Sequence, residues 1–263
     1  MLRKFIATMA LAAIATPALA AREMTTDRPD TTESPFTVER GHIQLEMSLF
    51  EFSQDNANPE RASVHVNEWN FAPFNLRIGL ADNADLHVIF ETHHQSRIDD
   101  RTTGRVDKFS GSGDVTLRLK WNFWGNDGGP TALGIMPFVK LPTGSNDFGN
   151  NHLEGGIVLP ASFELPAGWS LGVMSEWDLA RNKNDDGYDH LWVNTASFSH
   201  AIAGPVDGFI EVVSQVGGAP VVTLNGGLTW GIGENLQFDL GANFALTRAA
   251  DDMLLFTGVS WRH

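Results

Sequence analysis

This 263-residue sequence predicts an all-β fold, a transmembrane antiparallel β-barrel of twelve strands preceded by an irregular N-terminal segment. Three observations point there. Apolar and polar residues alternate with period two from about residue 42 to the end, and no stretch after Ala20 has the spacing of a long amphipathic helix. The first eight connections between the alternating runs are long and short in turn, and those at 216–220, 232–234 and 247–252 are modest. The 8 tryptophans gather near the ends of the runs and none sits in the middle of one.

Residues 1–20, MLRKFIATMALAAIATPALA, carry Arg3 and Lys4, an apolar run, Pro17 and an Ala18-Leu19-Ala20 site. This pattern is a Sec-type signal peptide cut after Ala20, and its apolar run falls short of the ~20 residues that a spanning helix needs. Its removal takes two of the 18 basic residues and none of the 32 acidic ones, so the exported chain is more acidic than the net charge of −14. Nucleic acid is therefore not expected as a partner, because binding it takes basic patches that neutralise phosphates. With 0 cysteines, disulfides, thiolate metal sites and a lipidated N-terminal cysteine are all excluded.

Residues 21–40 form the irregular segment. Within TTDRPDTTESPFTVERGHIQLE (25–46), the first part is charged, holds Pro29 and Pro35, and has no usable periodicity; alternation starts at Ile43. Candidate strands in the barrel domain, 41–263, follow at 42–53, 65–79, 84–94, 113–124, 131–141, 153–165, 168–179, 189–201, 206–215, 221–231, 235–246 and 253–262. In 235–246, Leu236, Phe238, Leu240 and Phe244 share one face and Gln237, Asp239 and Asn243 the other. In 113–124, Leu117, Leu119, Trp121 and Phe123 oppose Arg118, Lys120 and Asn122 in the same way. Pro73 and Pro160 fall inside strands, where the missing N–H predicts bulges or strand ends.

The connections 54–64, 95–112, 142–152 and 180–188 are long, and those between them are short. Outer-membrane barrels show this asymmetry, with short periplasmic turns and longer extracellular loops. With twelve strands, both termini fall in the periplasm. Trp121, Trp124, Trp169, Trp230 and Trp261 then lie near the periplasmic ends, and Trp69, Trp177 and Trp192 near the outer ends. These are the interfacial girdles that an apolar ring with a polar N–H favours. Expected partners are outer-membrane lipids and a small-molecule solute.

Four stretches resemble one family: TDRPDTTESPFTVERGHIQLE (26–46), LGIMPFVKLPTGSND (133–147), EGGIVLPASFELP (154–166) and LLFTGVSWRH (254–263). They are similar to bacterial outer-membrane proteins labelled as transporters of the meta-cleavage (MetA) pathway of phenol degradation. The resemblance implies a cell outer membrane location and passage of small aromatic or apolar compounds. The family ends in an aromatic residue that the barrel-assembly machinery reads; this chain ends in His263, although alternation with Trp261 and Val259 persists.

No enzyme, cofactor or metal site is expected. There is no G-x-S-x-G elbow, and the adjacent pairs His93-His94 and Ser199-His200 point to opposite strand faces. A zinc site from His87, Glu91 and His93 is outweighed by ordinary lumenal polarity. The loop RNKNDDGYD (181–189) fails the calcium-loop pattern, because its twelfth position from Asn182 is Val193. The alternative to a channel is a non-transport outer-membrane barrel, either a lipid-modifying hydrolase or a structural or adhesion protein.

Inward-facing charges are the candidate pore lining: Arg118, Lys120, Lys140, Glu154, Glu164, Glu176, Asp178 and Asp239, with Glu91 and Glu211 on the same face. The N-terminal segment has two places open to it, hanging in the periplasm or folding into the lumen, where irregular backbone is shielded from lipid. The lumen is the expected one, with Asp27, Arg28, Asp30 and Glu33 as a plug meeting those charges.

Overall fold

A computed structural model describes residues 22–56, 58–59, 63–145, 148–182 and 187–263. The proposed signal peptide lies outside the described residues, as do residues 183–186 of the loop weighed as a calcium site. The strand segments are β1 (Ile43–Asp55), β2 (Val64–Phe71), β3 (Phe74–Ala81), β4 (Ala84–Phe90), β5 (His93–Asp100), β6 (Val106–Gly111), β7 (Val115–Trp124) and β8 (Thr131–Leu141). They continue with β9 (Glu154–Glu164), β10 (Trp169–Arg181), β11 (Tyr188–Ala203), β12 (Val206–Val216), β13 (Val221–Ile232), β14 (Leu236–Ala245) and β15 (Met253–Arg262). A 3-10 turn at Pro166–Gly168 joins β9 to β10.

All pairing is antiparallel, and β1 pairs with β15 to close the sheet. Three staves are broken in two, β2/β3, β4/β5 and β6/β7, so the fifteen segments make twelve staves. Closure extends to the last residue. Ile43 and His263 exchange backbone hydrogen bonds of 3.0 and 2.8 Å, and the His263 ring stacks on Trp261 at 5.6 Å. Backbone pairing of the seam therefore runs through the terminal His263 itself.

This fold is inside out relative to a water-soluble protein. Along β7, Arg118, Lys120 and Asn122 are buried while Leu119, Trp121 and Phe123 are exposed. Along β14, Asp239 is buried between exposed Phe238 and Leu240. Apolar side chains outside and charges inside are stable only where hydrocarbon surrounds the sheet and closure leaves no unpaired edge. Arg22 and His263 both lie at the end with short turns, such as Asp82–Asn83 and Gly204–Pro205, which is the periplasmic end in this class.

Two prolines break ladders. Pro73 separates β2 from β3 next to a register shift in β1 between Ser48 and Phe50. Between β8 and β9, pairing jumps from Leu133↔Ala161 to Met136↔Val158 across Pro160, while the β10 side of Pro160 stays in register. A third break was not foreseen. Between β7 and β8 the pairs run from Arg118↔Phe138 to Trp121↔Ile135, skipping Pro137.

The structure corrects the long loop expected at 95–112. The β5–β6 hairpin fills most of it and, through β2, lengthens staves two to four at the long-loop end. Sequence alternation missed this hairpin because both of its faces are polar or solvated above the membrane.

Candidate functional site: the lumen and its N-terminal segment

From Arg22 to Arg40 the chain runs inside the barrel without regular structure and enters β1 through Gly41, whose φ of +85° suits glycine. Close approach makes this entry possible. A Cβ on Gly79 would lie 1.8 Å from the Glu39 carbonyl oxygen, so β3 needs a glycine where the segment crosses it. Three lumenal glycines leave similar room. Cβ atoms at Gly134, Gly172 and Gly258 would meet Pro35 at 3.3 Å, Thr32 at 3.1 Å and the Arg28 guanidinium at 2.3 Å.

Asp27 sits at the centre of the charge network. Its carboxylate takes Lys120 Nζ at 2.6 Å and Arg77 at 3.1 Å, and its own N–H donates to Glu46 at 2.9 Å. Arg77 is fully buried and also reaches Glu46 at 2.9 Å, Asp85 at 3.0 Å and the Phe36 carbonyl at 2.8 Å. Burial alone would raise the Asp27 carboxyl, but Arg77 and Lys120 together hold it well below the usual carboxylate range. Asp85 further accepts the Val38 N–H at 2.8 Å and binds His87 at 3.0 Å. These strand side chains supply the partners that an irregular backbone away from bulk water requires.

Three more anchors follow along the segment. Arg28 makes two hydrogen bonds to Asp239, at 3.2 and 2.8 Å, and lies 5.9 Å from the Phe256 ring centroid. Glu211, itself buried, accepts the N–H groups of Thr31 and Thr32 at 3.0 and 2.7 Å and the Thr32 hydroxyl at 2.6 Å. Glu33 pairs with Arg118, whose guanidinium lies 5.4 Å from the Phe138 ring. Burial raises Glu33 in spite of Arg118. Asp30 has no such cation: burial, reinforced by the Glu211 carboxylate, pushes it up to about 7.

Among the described residues, one cavity borders the segment and a second lies farther out. The inner one, about 450 Å³ on the periplasmic side, lies between residues 25–36 and the walls of β9 to β14. The outer one, about 610 Å³, is lined by Lys140, Glu154, Glu176, Asp178 and Asp189 among others. The inward charges expected to line a pore therefore divide. Lys140 and Glu154, 3.3 Å apart, stand in the outer cavity with Glu176 and Asp178. Arg118, Lys120 and Asp239 are buried against the N-terminal segment, and Glu164 is exposed at the end of β9.

Gln44, Glu46, Arg77 and Asp85 were missed as site residues. Their signal was the polar face of β1 and of β3/β4, including a lone Arg in FNLRIGLA, but the partners are far away in sequence. His87, weighed as a zinc ligand, is engaged by Asp85 and by Asn75 at 3.1 Å. Among the described residues no three His, Asp or Glu side chains form a group that could hold a metal ion.

A closed barrel with lipid-facing apolar residues and chain packed into its lumen defines a membrane-spanning β-barrel of the outer-membrane type. Solved structures agree on the fold. An outer membrane channel from Pseudomonas putida F1 superposes with a TM-score of 0.64 at 13% identity, covering 91% of this chain and 100% of the other. The NanC porin gives 0.51 at 8% identity, with 82% and 98% covered. The β domain of the Bordetella autotransporter BrkA gives 0.52 at 14% identity, with 85% and 99% covered. Such distant likeness, shared with proteins of different roles, carries the barrel alone. The chain belongs to the family described as "Putative MetA-pathway of phenol degradation", whose model matches residues 26–263. No curated protein matches the sequence.

Proposed function

We propose that this protein is a passive outer-membrane channel for small uncharged solutes of aromatic or apolar character, without cofactor or catalytic step. One observation carries the reading: the segment from Arg22 to Arg40 is bound inside the lumen by ion pairs and hydrogen bonds and lines its inner cavity. A lumen blocked by ion pairs suits a narrow, selective route and not a wide aqueous pore. The family's tie to phenol degradation supports an aromatic cargo. On this reading Asp27, Arg28, Asp30 and Glu33 belong to a plug, and Lys140, Glu154, Glu176 and Asp178 line the outer approach. The barrel-assembly machinery reads a last strand whose pairing survives the change to His263.

The test uses intact cells whose lipopolysaccharide leaflet excludes apolar dyes. Cells expressing the protein should take up neutral N-phenylnaphthylamine several-fold faster than cells without it, and the anionic anilinonaphthalene sulfonate at an unchanged rate. Equal uptake of the neutral dye with and without the protein would refute the reading.

A further inference from the structure

The two cavities share a wall. Strands β9, β10 and β11 line the inner one through Ser162, Ser170, Gly172, Ser197 and Ser199. The same strands line the outer one through Glu154, Glu176, Asp178, Asp189 and Leu191. Side chains on one strand face recur every second residue, so the inward positions in between can be named. They are Gly156, Val158 and Pro160 on β9, Met174 on β10, and Val193 and Thr195 on β11, with Met136 and Phe138 beside them on β8.

Met136, Val158 and Met174 are buried and form one apolar cluster, with Phe138 and Val193 packed against it. The Thr195 hydroxyl is already taken by Thr32 at 2.7 Å. Elsewhere around the lumen, the groups facing the segment are charged and paired with it: Arg77, Asp85, Lys120, Glu211 and Asp239. One sector of wall at this level is therefore apolar, and it lies between the residues that line the two cavities. From Gly172 to Glu176 is four residues, about 13 Å along the strand at ~3.3 Å each, or roughly 9 Å along the axis after ~45° tilt. That is close to the length of one aromatic ring with a substituent.

We infer that Met136, Val158, Met174 and Val193 form the crossing between the cavities, a selectivity belt for the uncharged apolar part of a solute. This inference rests on the channel reading above. A charged or strongly hydrated solute would lose its water there without gaining a partner, and a dry constriction also resists ions. What the belt requires of Met136 and Met174 is apolar surface, which the unbranched thioether side chains fit to an irregular space and a leucine also presents. Met174 lies directly under the segment, its sulfur 3.4 Å from the Glu33 N–H, so displacing Glu33 and turning Met174 open the same spot.

Dye uptake in cells and potassium chloride conductance in planar bilayers test the belt together, in Met174→Gln, Met136→Gln and Met174→Leu variants that keep heat-modifiable gel mobility. The Gln variants place an amide without a partner in the belt and should slow neutral dye uptake about tenfold. Their ion conductance should stay equal or rise, and Met174→Leu should keep most of the uptake. Wild-type uptake with no loss in either Gln variant overturns the belt and leaves the channel reading standing. Equal losses in Met174→Gln and Met174→Leu overturn it too, since that pattern marks packing and not polarity. No uptake by the wild type overturns both.

Discussion

Deletion of residues 22–38 should raise single-channel conductance several-fold and abolish the preference for neutral over charged solutes. The deletion removes Asp27, Arg28 and Glu33, the partners of Lys120, Asp239 and Arg118 in the lumen. It leaves Gly41 and the whole of β1, so the barrel still closes through the β1–β15 seam. A twelve-strand barrel is intermediate between small barrels filled by side chains and open porins, so what occupies its lumen decides whether water and ions pass. Water would replace the lost partners of Lys120, Arg118 and Glu211 in the opened lumen. Conductance recordings on the refolded deletion variant provide the check; wild-type levels would mean that the segment does not block the pore.

Arg77→Met should be the most destabilising single substitution in the lumen, by about 3–5 kcal/mol, the usual cost of removing one partner from a buried ion network. Arg77 is the common partner of Asp27, Glu46 and Asp85, and all four are buried. Without it, Asp27 keeps Lys120 while Glu46 and Asp85 lose their guanidinium partner, and the unpaired charges are forced to take up protons or water. Denaturant unfolding in lipid bilayers measures this directly. The double variant Arg77→Met/Glu46→Gln should recover part of the loss, because the two residues share one network and their effects are not additive. A shift below ~1 kcal/mol would show that water already screens the cluster, as it does for exposed pairs.

Much of the barrel was legible in the sequence because lipid imposes a strict rule. Where both lipid and a polar lumen act on a strand, as in β7 and β14, alternation is clean and the assignment of faces follows from the residues alone. Tryptophan placement carries similar information, since Trp121, Trp230 and Trp261 are exposed near the short-turn end and Trp192 near the other. Where lipid no longer acts, the rule lapses. HHQSRIDD and VDKFSG form β5 and β6, yet their faces are not distinguished by polarity, so they looked like loop.

The lumen was legible by residue type and not by partner. Inward charges could be named from parity, but Asp27 and Lys120 are 93 residues apart, and Arg28 and Asp239 211 apart. No local pattern encodes such pairs. Nor could parity separate Lys140 and Glu154, which face a cavity, from Lys120 and Asp239, which hold the segment. The glycines at 134, 172 and 258 were equally opaque: in a strand-rich sequence they resemble ordinary barrel glycines until Pro35, Thr32 and Arg28 are seen beside them.

The central claim is that the N-terminal segment lies in the lumen and controls passage. A disulfide tests it most directly. A Cβ on Gly172 would lie 3.9 Å from the Thr32 Cβ, within the ~3.5–4.5 Å that a disulfide spans, and the chain has 0 cysteines to compete. In the membrane-inserted Thr32→Cys/Gly172→Cys variant, oxidation should link the two positions completely and hold both conductance and neutral dye uptake at or below wild-type levels. Reduction should then restore wild-type behaviour. Two free thiols that react with a maleimide reagent in the folded barrel, with channel properties indifferent to oxidant, would contradict the account.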